Sequence, residues 1–179
     1  MKCLNSLAEL KSFRSALDGT VGFVPTMGAL HQGHLSLVER SLAESDHTLV
    51  SIYVNPTQFN NASDLENYPS TLEEDLASLA GKADGVFLPT FGLLYPDDFA
   101  YRLDETGFSN QLCGENRPGH FTGVLTVVMK LLNLMKPDRA YFGEKDYQQL
   151  KLVRGMAETF SLRLKLLDVP SFASQTGWP

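Results

Sequence analysis

Residues 21–54 constrain the fold more than any other part of the chain, because two apolar runs there flank a helix-patterned segment. Val21-Gly-Phe-Val24 and Thr48-Leu-Val-Ser-Ile-Tyr-Val54 read as buried strands, and Leu35, Leu37, Val38 and Leu42 recur between them at helical spacing. A strand, a crossover helix and a second strand make a parallel βαβ unit. The first strand joins the helix through Met27-Gly-Ala-Leu-His-Gln-Gly-His34. Backbone N–H groups and the positive end of the helix dipole attract anions at such a join. Gly28 and Gly33 would let the main chain approach a phosphate with no Cβ in the way.

The same alternation continues on both sides of this unit. Residues 4–17 carry Leu7, Leu10, Phe13 and Leu17 at helical spacing and predict an amphipathic opening helix that stops at Asp18-Gly19. Further helices are predicted at 33–46, 71–79, 123–135 and 146–160, and short strands at 85–88, 139–142 and 162–169. The pattern predicts an α/β fold, a Rossmann-like doubly wound parallel sheet with helices on both faces. Residues 90–121, rich in Gly, Pro and Asp, break the pattern and predict loops or an antiparallel excursion.

A chain of 179 residues can bury one sizeable core, which predicts a single domain over 1–170. Its formal charge of −6 argues against a general nucleic-acid binder. Cys3 and Cys113 are too few and too far apart for a disulfide framework or a zinc ribbon and read as ordinary thiols. No apolar stretch has the length of a membrane span, and the N-terminus lacks the apolar core of a signal peptide. The expectation is a cytoplasmic protein whose partners are small molecules, with no nucleic acid and no membrane.

Open parallel sheets bind ligands beyond the carboxyl ends of their strands, and three polar clusters fall there. They are His31 with His34, then Asn55-Pro-Thr-Gln-Phe59, then Gly143-Glu-Lys-Asp-Tyr-Gln-Gln149. Histidines three apart on a helical first turn share a face and could donate N–H bonds to one phosphate as neutral rings, because a helix N-terminus disfavours imidazolium. Plain surface or capping histidines are the alternative. Zinc would need a third ligand, for which only His120 is on offer. Lys145 opposes the dipole of the helix it precedes unless an anion is bound, or unless Glu144 and Asp146 compensate it. Arg117-Pro-Gly-His120 places a guanidinium and an imidazole in one loop. Gln58 and Gln149 can each donate and accept hydrogen bonds, which fits a small substrate with hydroxyl and carboxylate groups.

With these residues assembled, the chain resembles the pantothenate synthetase (pantoate–β-alanine ligase) family of HIGH-type nucleotidyltransferases. The resemblance rests on Pro25-Thr-Met-Gly-Ala-Leu-His-Gln-Gly-His34, Val54-Asn-Pro-Thr-Gln-Phe59, Arg117-Pro-Gly-His-Phe121 and Phe142-Gly-Glu-Lys-Asp-Tyr-Gln-Gln-Leu150. It implies an ATP- and Mg²⁺-dependent condensation of pantoate with β-alanine through pantoyl adenylate, in a homodimer. Position by position it assigns Met27, Gly28, Ala29, Leu30, His31, Gln32, Gly33 and His34, with Gly143, Glu144, Lys145 and Asp146, to ATP. Gln58 and Gln149 are assigned to pantoate and Gln58 also to β-alanine. His34, His31 and Lys145 are the catalytic candidates, Arg117 and His120 are candidate phosphate contacts, and no side chain is assigned to the metal. Two other readings share this site: a cytidylyl- or adenylyl-transferase acting on a phosphorylated acceptor, and an inactive nucleotide-binding fragment.

Family members continue past Val-Pro with a phosphate-binding segment ending in Ser-Ser-Arg-Asn and then a C-terminal lid domain. Here residues 171–179 read Ser-Phe-Ala-Ser-Gln-Thr-Gly-Trp-Pro. A one-base shift near codons 169–171 would reconcile the two, since the alternative frame permits the family segment at its proper distance. The other reading is a separated domain with an unrelated tail. The expectation from either is weak or undetectable synthesis with ATP or pantoate binding retained.

Overall fold

The computed structural model describes residues 1–170; residues 171–179, the expected non-family tail, lie outside the described residues. Its strands are β1 (Lys2–Leu4), β2 (Val21–Thr26), β3 (His47–Ile52), β4 (Gly85–Phe87), β5 (Arg139–Gly143) and β6 (Lys165–Val169). They form one sheet in the order β1-β4-β3-β2-β5-β6, and every pairing is parallel. The helices are α1 (Leu7–Ser15), α2 (Gln32–Glu44), α3 (Ala62–Glu66), α4 (Leu72–Leu79), α5 (Phe91–Leu94), α6 (His120–Met135) and α7 (Tyr147–Thr159).

Strand periodicity of two divides the core between the sheet's faces. Phe23, Leu49, Phe87 and Phe142 point to one side, where Leu10 of α1, Leu125 and Leu131 of α6, and Val153 of α7 complete a single cluster. Val24, Val50, Val86 and Tyr141 point to the other, against Leu37 and Val38 of α2 and Leu79 of α4. This is the doubly wound architecture the sequence predicts. From β2 the chain moves to β3 and then β4 on one flank, whereas β5 pairs with the opposite edge of β2. The order therefore reverses beside β2, and a crevice opens at the carboxyl ends of β2 and β5.

Apart from the unpredicted α3, a last strand that starts at Lys165 rather than 162 and a β3 that ends at Ile52 rather than 54, three segments differ from the sequence reading. The opening helix starts at Leu7, because a capping box fixes it there: the Ser6 hydroxyl accepts from Glu9 N at 3.2 Å, and the Glu9 carboxylate accepts from Ser6 N at 3.1 Å. Lys2–Leu4 is thereby left extended and pairs with β4. Residues 90–121 contain no strand, so of the two expected alternatives the loops hold and the antiparallel excursion does not; α5 and two 3-10 turns, Phe108–Asn110 and Leu112–Gly114, interrupt them. The side chain of Gln148, on α7, holds those turns by donating to the carbonyls of Phe108 (2.9 Å) and Gln111 (2.6 Å) and accepting from Cys113 N (3.1 Å). Finally, α6 begins at His120 rather than at the predicted 123.

Helix α2 lies close on β2 because Gly22 has no side chain. A Cβ there would collide with the Ser41 hydroxyl and stand 2.8 Å from the Ser45 hydroxyl. Ser41 cannot yield easily, being fully buried and bonded to Thr48 Oγ1 at 2.8 Å. Gly22→Ala is therefore expected to destabilise the domain by about 1–3 kcal/mol through overpacking. Urea unfolding checks this, and an unchanged midpoint would show that α2 is free to shift.

Candidate active site

The loop leaving β2 is shaped by a side chain from a different helix. Asp75 of α4 is buried, and its carboxylate accepts from Ala29 N at 2.9 Å and Leu30 N at 2.7 Å. These bonds hold Gly28 at φ 86° and Ala29 at φ 50°, both in the left-handed region. A Cβ on Gly28 would stand 3.0 Å from the Asp75 carboxylate. Gly28 thus makes room for protein rather than for a phosphate, and the amides of Ala29 and Leu30 are already engaged. Sequence reasoning missed Asp75; its one signal, an acid in a helical first turn, has the commoner explanation of a favourable dipole contact.

From this loop the chain enters α2 through a capping box built from two histidines. His31 is the N-cap rather than a first-turn residue, with extended backbone (φ −126°, ψ 177°). Its Nδ1 accepts from Gly33 N at 3.0 Å, and the Nδ1 of His34 accepts from His31 N at 3.4 Å. An amide N–H can only donate, so both Nδ1 atoms are unprotonated and each neutral ring carries its proton on Nε2. The rings lie face to face at an interplanar tilt of 32° with centroids 4.2 Å apart. Gly33 is required by this arrangement, since a Cβ would stand 2.8 Å from the His31 ring. Burial, then the neighbouring His31, lowers the pKa of His34 to about 4, while Asp75 and Asp146 pull more weakly the other way.

On the far side of the crevice, β5 runs into a 3-10 turn, Glu144–Asp146, and then α7. Asp146 stands at the α7 N-cap without a side-chain capping bond, and Lys145 is exposed and makes no ion pair among the described residues. Glu144 and Asp146 therefore do not neutralise it by contact. The N-termini of α2 and α7, together with Lys145, give this side of the crevice a positive character.

Two cavities adjoin at this point. The larger, about 580 Å³, is lined by Gln32, Gly33 and Lys145 and by the apolar surfaces of Leu37, Tyr141 and Val169. The smaller, about 300 Å³, has Val124, Val127 and Val128 of α6 on one wall and Gln58, Asn55 and Tyr68 among its polar lining. Pro25, His31, His34, Phe142, Asp146 and Gln149 line both. His34, Gln58 and Lys145, distant in sequence, thus surround one compound space.

Not every expected residue reaches that space. Met27 lines the smaller cavity and Gly143 the larger, but Ala29, Leu30 and Glu144 line neither. Gly28 opens instead on a neighbouring cavity of about 470 Å³ beside Asp75, which shares Met27 and Tyr53 with the smaller one. Arg117 is exposed and also lines neither, and His120 is buried against a further pocket of about 180 Å³. No group of three or more His, Cys, Asp or Glu side chains among the described residues could hold a metal, so His120 does not complete a zinc site.

Asn55 is the second residue whose importance the sequence concealed. It is buried, donates to Gln58 Oε1 at 3.2 Å and to Gly123 O at 3.3 Å, and accepts from Thr57 Oγ1 (3.1 Å) and Tyr95 OH (3.0 Å). It aims Gln58 with every polar atom of its amide engaged.

A sequence model described as pantoate-beta-alanine ligase matches residues 2–178. The pantothenate synthetase of Bdellovibrio bacteriovorus is 48% identical over 175 residues, covering 97% of this chain and 70% of the relative. That of Coxiella burnetii is 51% identical over 180 residues, covering 99% and 70%. A crystal structure of pantoate-beta-alanine ligase from Francisella tularensis, complexed with beta-gamma ATP and beta-alanine, superposes with a TM-score of 0.95 at 42% identity. It covers all of this chain, which corresponds to 70% of that one. The pantothenate synthetase of Thermus thermophilus superposes with a TM-score of 0.88 at 46% identity, over 95% of this chain and 62% of that one.

Because His34 stays neutral until pH approaches about 4, against 6.5 for a free imidazole, the folded site resists its protonation. The unfolded chain takes up that proton first. The contribution to stability is therefore complete above pH 6.5 and is lost progressively as pH falls toward 4. Nitrogen NMR of the ligand-free protein is expected to show His34 protonated on Nε2 alone at pH 7 and titrating near pH 4. A midpoint near 6.5, or a proton on Nδ1, would contradict the capping geometry.

Proposed function

The chain belongs to the pantoate–β-alanine ligase family, and from that membership we propose that its compound crevice condenses pantoate with β-alanine, driven by cleavage of ATP to AMP and pyrophosphate. One observation carries the assignment of roles. His34 and Gln149 form a shared wall between a cavity at two helix N-termini, lined by Lys145 and Asp146, and a smaller cavity that is apolar on one side and carries amides on the other.

The chemistry follows from that wall. The triphosphate lies in the larger cavity, its negative charge met by Lys145, by the α2 and α7 N-termini and by the Nε2–H donors of His31 and His34. The geminal methyl groups of pantoate lie on Val124, Val127 and Val128, and its hydroxyl and carboxylate groups pair with the amides of Gln58 and Gln149. Its carboxylate oxygen then faces the α-phosphorus across His34. Attack forms the acyl–O–P bond and breaks the bond from the α-phosphorus to the bridging oxygen, releasing pyrophosphate. The amine of β-alanine, held near Gln58, next attacks the acyl carbon, AMP leaves with the carboxyl oxygen, and the amine nitrogen gives up a proton.

His34 acts in the first step as a neutral hydrogen-bond donor whose strength rises as charge grows on the phosphoryl oxygens. A ring that titrates near 4 keeps this role throughout the neutral range. Positioning the two reactants side by side accounts for much of the remaining acceleration. Mg²⁺ enters with the nucleotide as MgATP, held chiefly by the substrate phosphates. The same reading makes the protein a cytoplasmic homodimer, and its net charge of −6 supports the absence of a nucleic-acid partner.

The turnover of this protein, which the sequence reading expects to be weak, is to be read as pyrophosphate released from MgATP and pantoate and as AMP released once β-alanine is added, with neither product formed when pantoate is omitted. His34→Gln is expected to slow pyrophosphate release about 10²–10³-fold, the usual cost of one donor to a developing oxyanion. Pyrophosphate formed with phosphopantetheine or nicotinamide mononucleotide but not with pantoate would replace the reading with a nucleotidyltransferase. Calorimetric binding of ATP and pantoate without turnover would identify a binding module.

A further inference from the structure

The loop that carries Gln58 is docked on the first turn of α6 rather than on the sheet. Three contacts make the joint. The Nδ1 of His120 lies 2.7 Å from the Gln58 carbonyl oxygen, Asn55 Nδ2 donates to Gly123 O at 3.3 Å, and Gly123 presents bare backbone to the Thr57–Gln58 peptide. A Cβ at Gly123 would stand 2.5 Å from Thr57 O and 2.8 Å from Gln58 N. A carbonyl oxygen can only accept, so His120 carries its proton on Nδ1, the opposite tautomer from His31 and His34. The ring is buried and lies edge-on to Phe121 at 4.9 Å between centroids, which fixes its orientation.

From this arrangement we infer that His120 is a positioning residue for the smaller cavity. Its Nδ1–H anchors the Gln58 main chain, and Asn55 aims the Gln58 amide, so that the amide faces the acid substrate. His120 thereby acts through Gln58 and touches neither phosphate nor substrate. The role rests on the reading of that cavity as the pantoate site, but the anchoring itself exists without any ligand.

Asparagine supplies the discriminating variant, because its Nδ2 stands the same number of bonds from Cα as the histidine Nδ1. Glutamine and leucine place no donor there. Three variants are to be compared with the parent: His120→Leu, His120→Gln and His120→Asn. The first two are expected to weaken pantoate binding about 3- to 10-fold, the worth of one lost hydrogen bond, with ATP binding unchanged. His120→Asn is expected to restore pantoate binding to within about 2-fold, a margin smaller than one neutral hydrogen bond.

The ligand-free readout is the Gln58 side-chain NH₂ resonance pair. It should shift and broaden in His120→Leu and return toward the parental position in His120→Asn. Thermal unfolding of each variant confirms that it is folded. Parental pantoate binding and parental Gln58 signals in His120→Leu would overturn the inference. So would equal loss of ATP and pantoate, or a folded His120→Asn that rescues neither readout. If the parent protein binds no pantoate, the functional reading of the cavity fails, and the Gln58 resonances alone decide the anchoring.

Discussion

The buried carboxylate of Asp75 is the interaction on which the geometry of the crevice depends. Two main-chain N–H bonds from Ala29 and Leu30 end on it, and they hold a turn that an unassisted chain would avoid, with a non-glycine residue at positive φ. A charged acceptor makes such bonds stronger than neutral pairs, and burial removes water as a competitor. The turn in its place delivers His31 to the N-cap of α2, and the cap in turn fixes both imidazole tautomers. A negative charge on α4 therefore determines which nitrogen of His34 bears a proton.

The electrostatics of the crevice follow from this arrangement. A capping imidazole must keep Nδ1 free to accept, and protonation there would break the cap while placing a cation at the positive end of α2. Burial and the second ring act in the same direction, so His34 stays neutral well below the usual range. The positive potential that an anion meets thus comes from backbone dipoles and Lys145 rather than from the histidines. In the proposed reaction, rings that donate without carrying charge would follow the movement of negative charge during phosphoryl transfer without trapping the polyphosphate as a tight ground-state complex.

Much of this was legible in the sequence. The apolar runs at 21–24 and 48–54 and the helical spacing between them fix the central parallel pair, and the glycine- and histidine-bearing join marks the strand end that opens on the two adjoining cavities. The elements that escaped are those whose signal is shorter than one period. Lys2–Leu4 has a single buried side chain, Leu4, too few for an alternation to show, although Ser6 and Glu9 already spelled the cap that separates it from α1. Residues 90–121 are organised by Gln148, on an element distant in sequence, so no local pattern there could reveal their course. The contacts of Asp75, Asn55 and His120 escaped for a different reason, although Asn55 and His120 lie in segments the sequence singles out. Each has an ordinary local explanation, and only the fold shows that their polar atoms are directed at main-chain atoms of other segments.

Those three residues and Gln148 also show how a site can hold open polar groups without losing its shape. Around the crevice, buried polar side chains committed to other segments stand beside polar side chains that line the cavities. Gln148 is buried with three bonds to the 108–113 turns, whereas Gln149, the next residue, lines both cavities. Asn55 is buried with four bonds, and Gln58 beside it leaves its amide at the cavity wall. The committed partner meets the demand that buried polar groups be satisfied, and it fixes backbone that would otherwise be loop. Gln149 inherits its direction from this fixed backbone, whereas Gln58 is aimed through its own amide, whose Oε1 accepts from Asn55 at 3.2 Å and whose Nε2 donates to Met27 Sδ at 3.1 Å. A substrate finds donors and acceptors already aimed, so little ordering entropy opposes its binding. The alternation of roles along the chain, Gln148 inward and Gln149 outward, gives one short segment both functions.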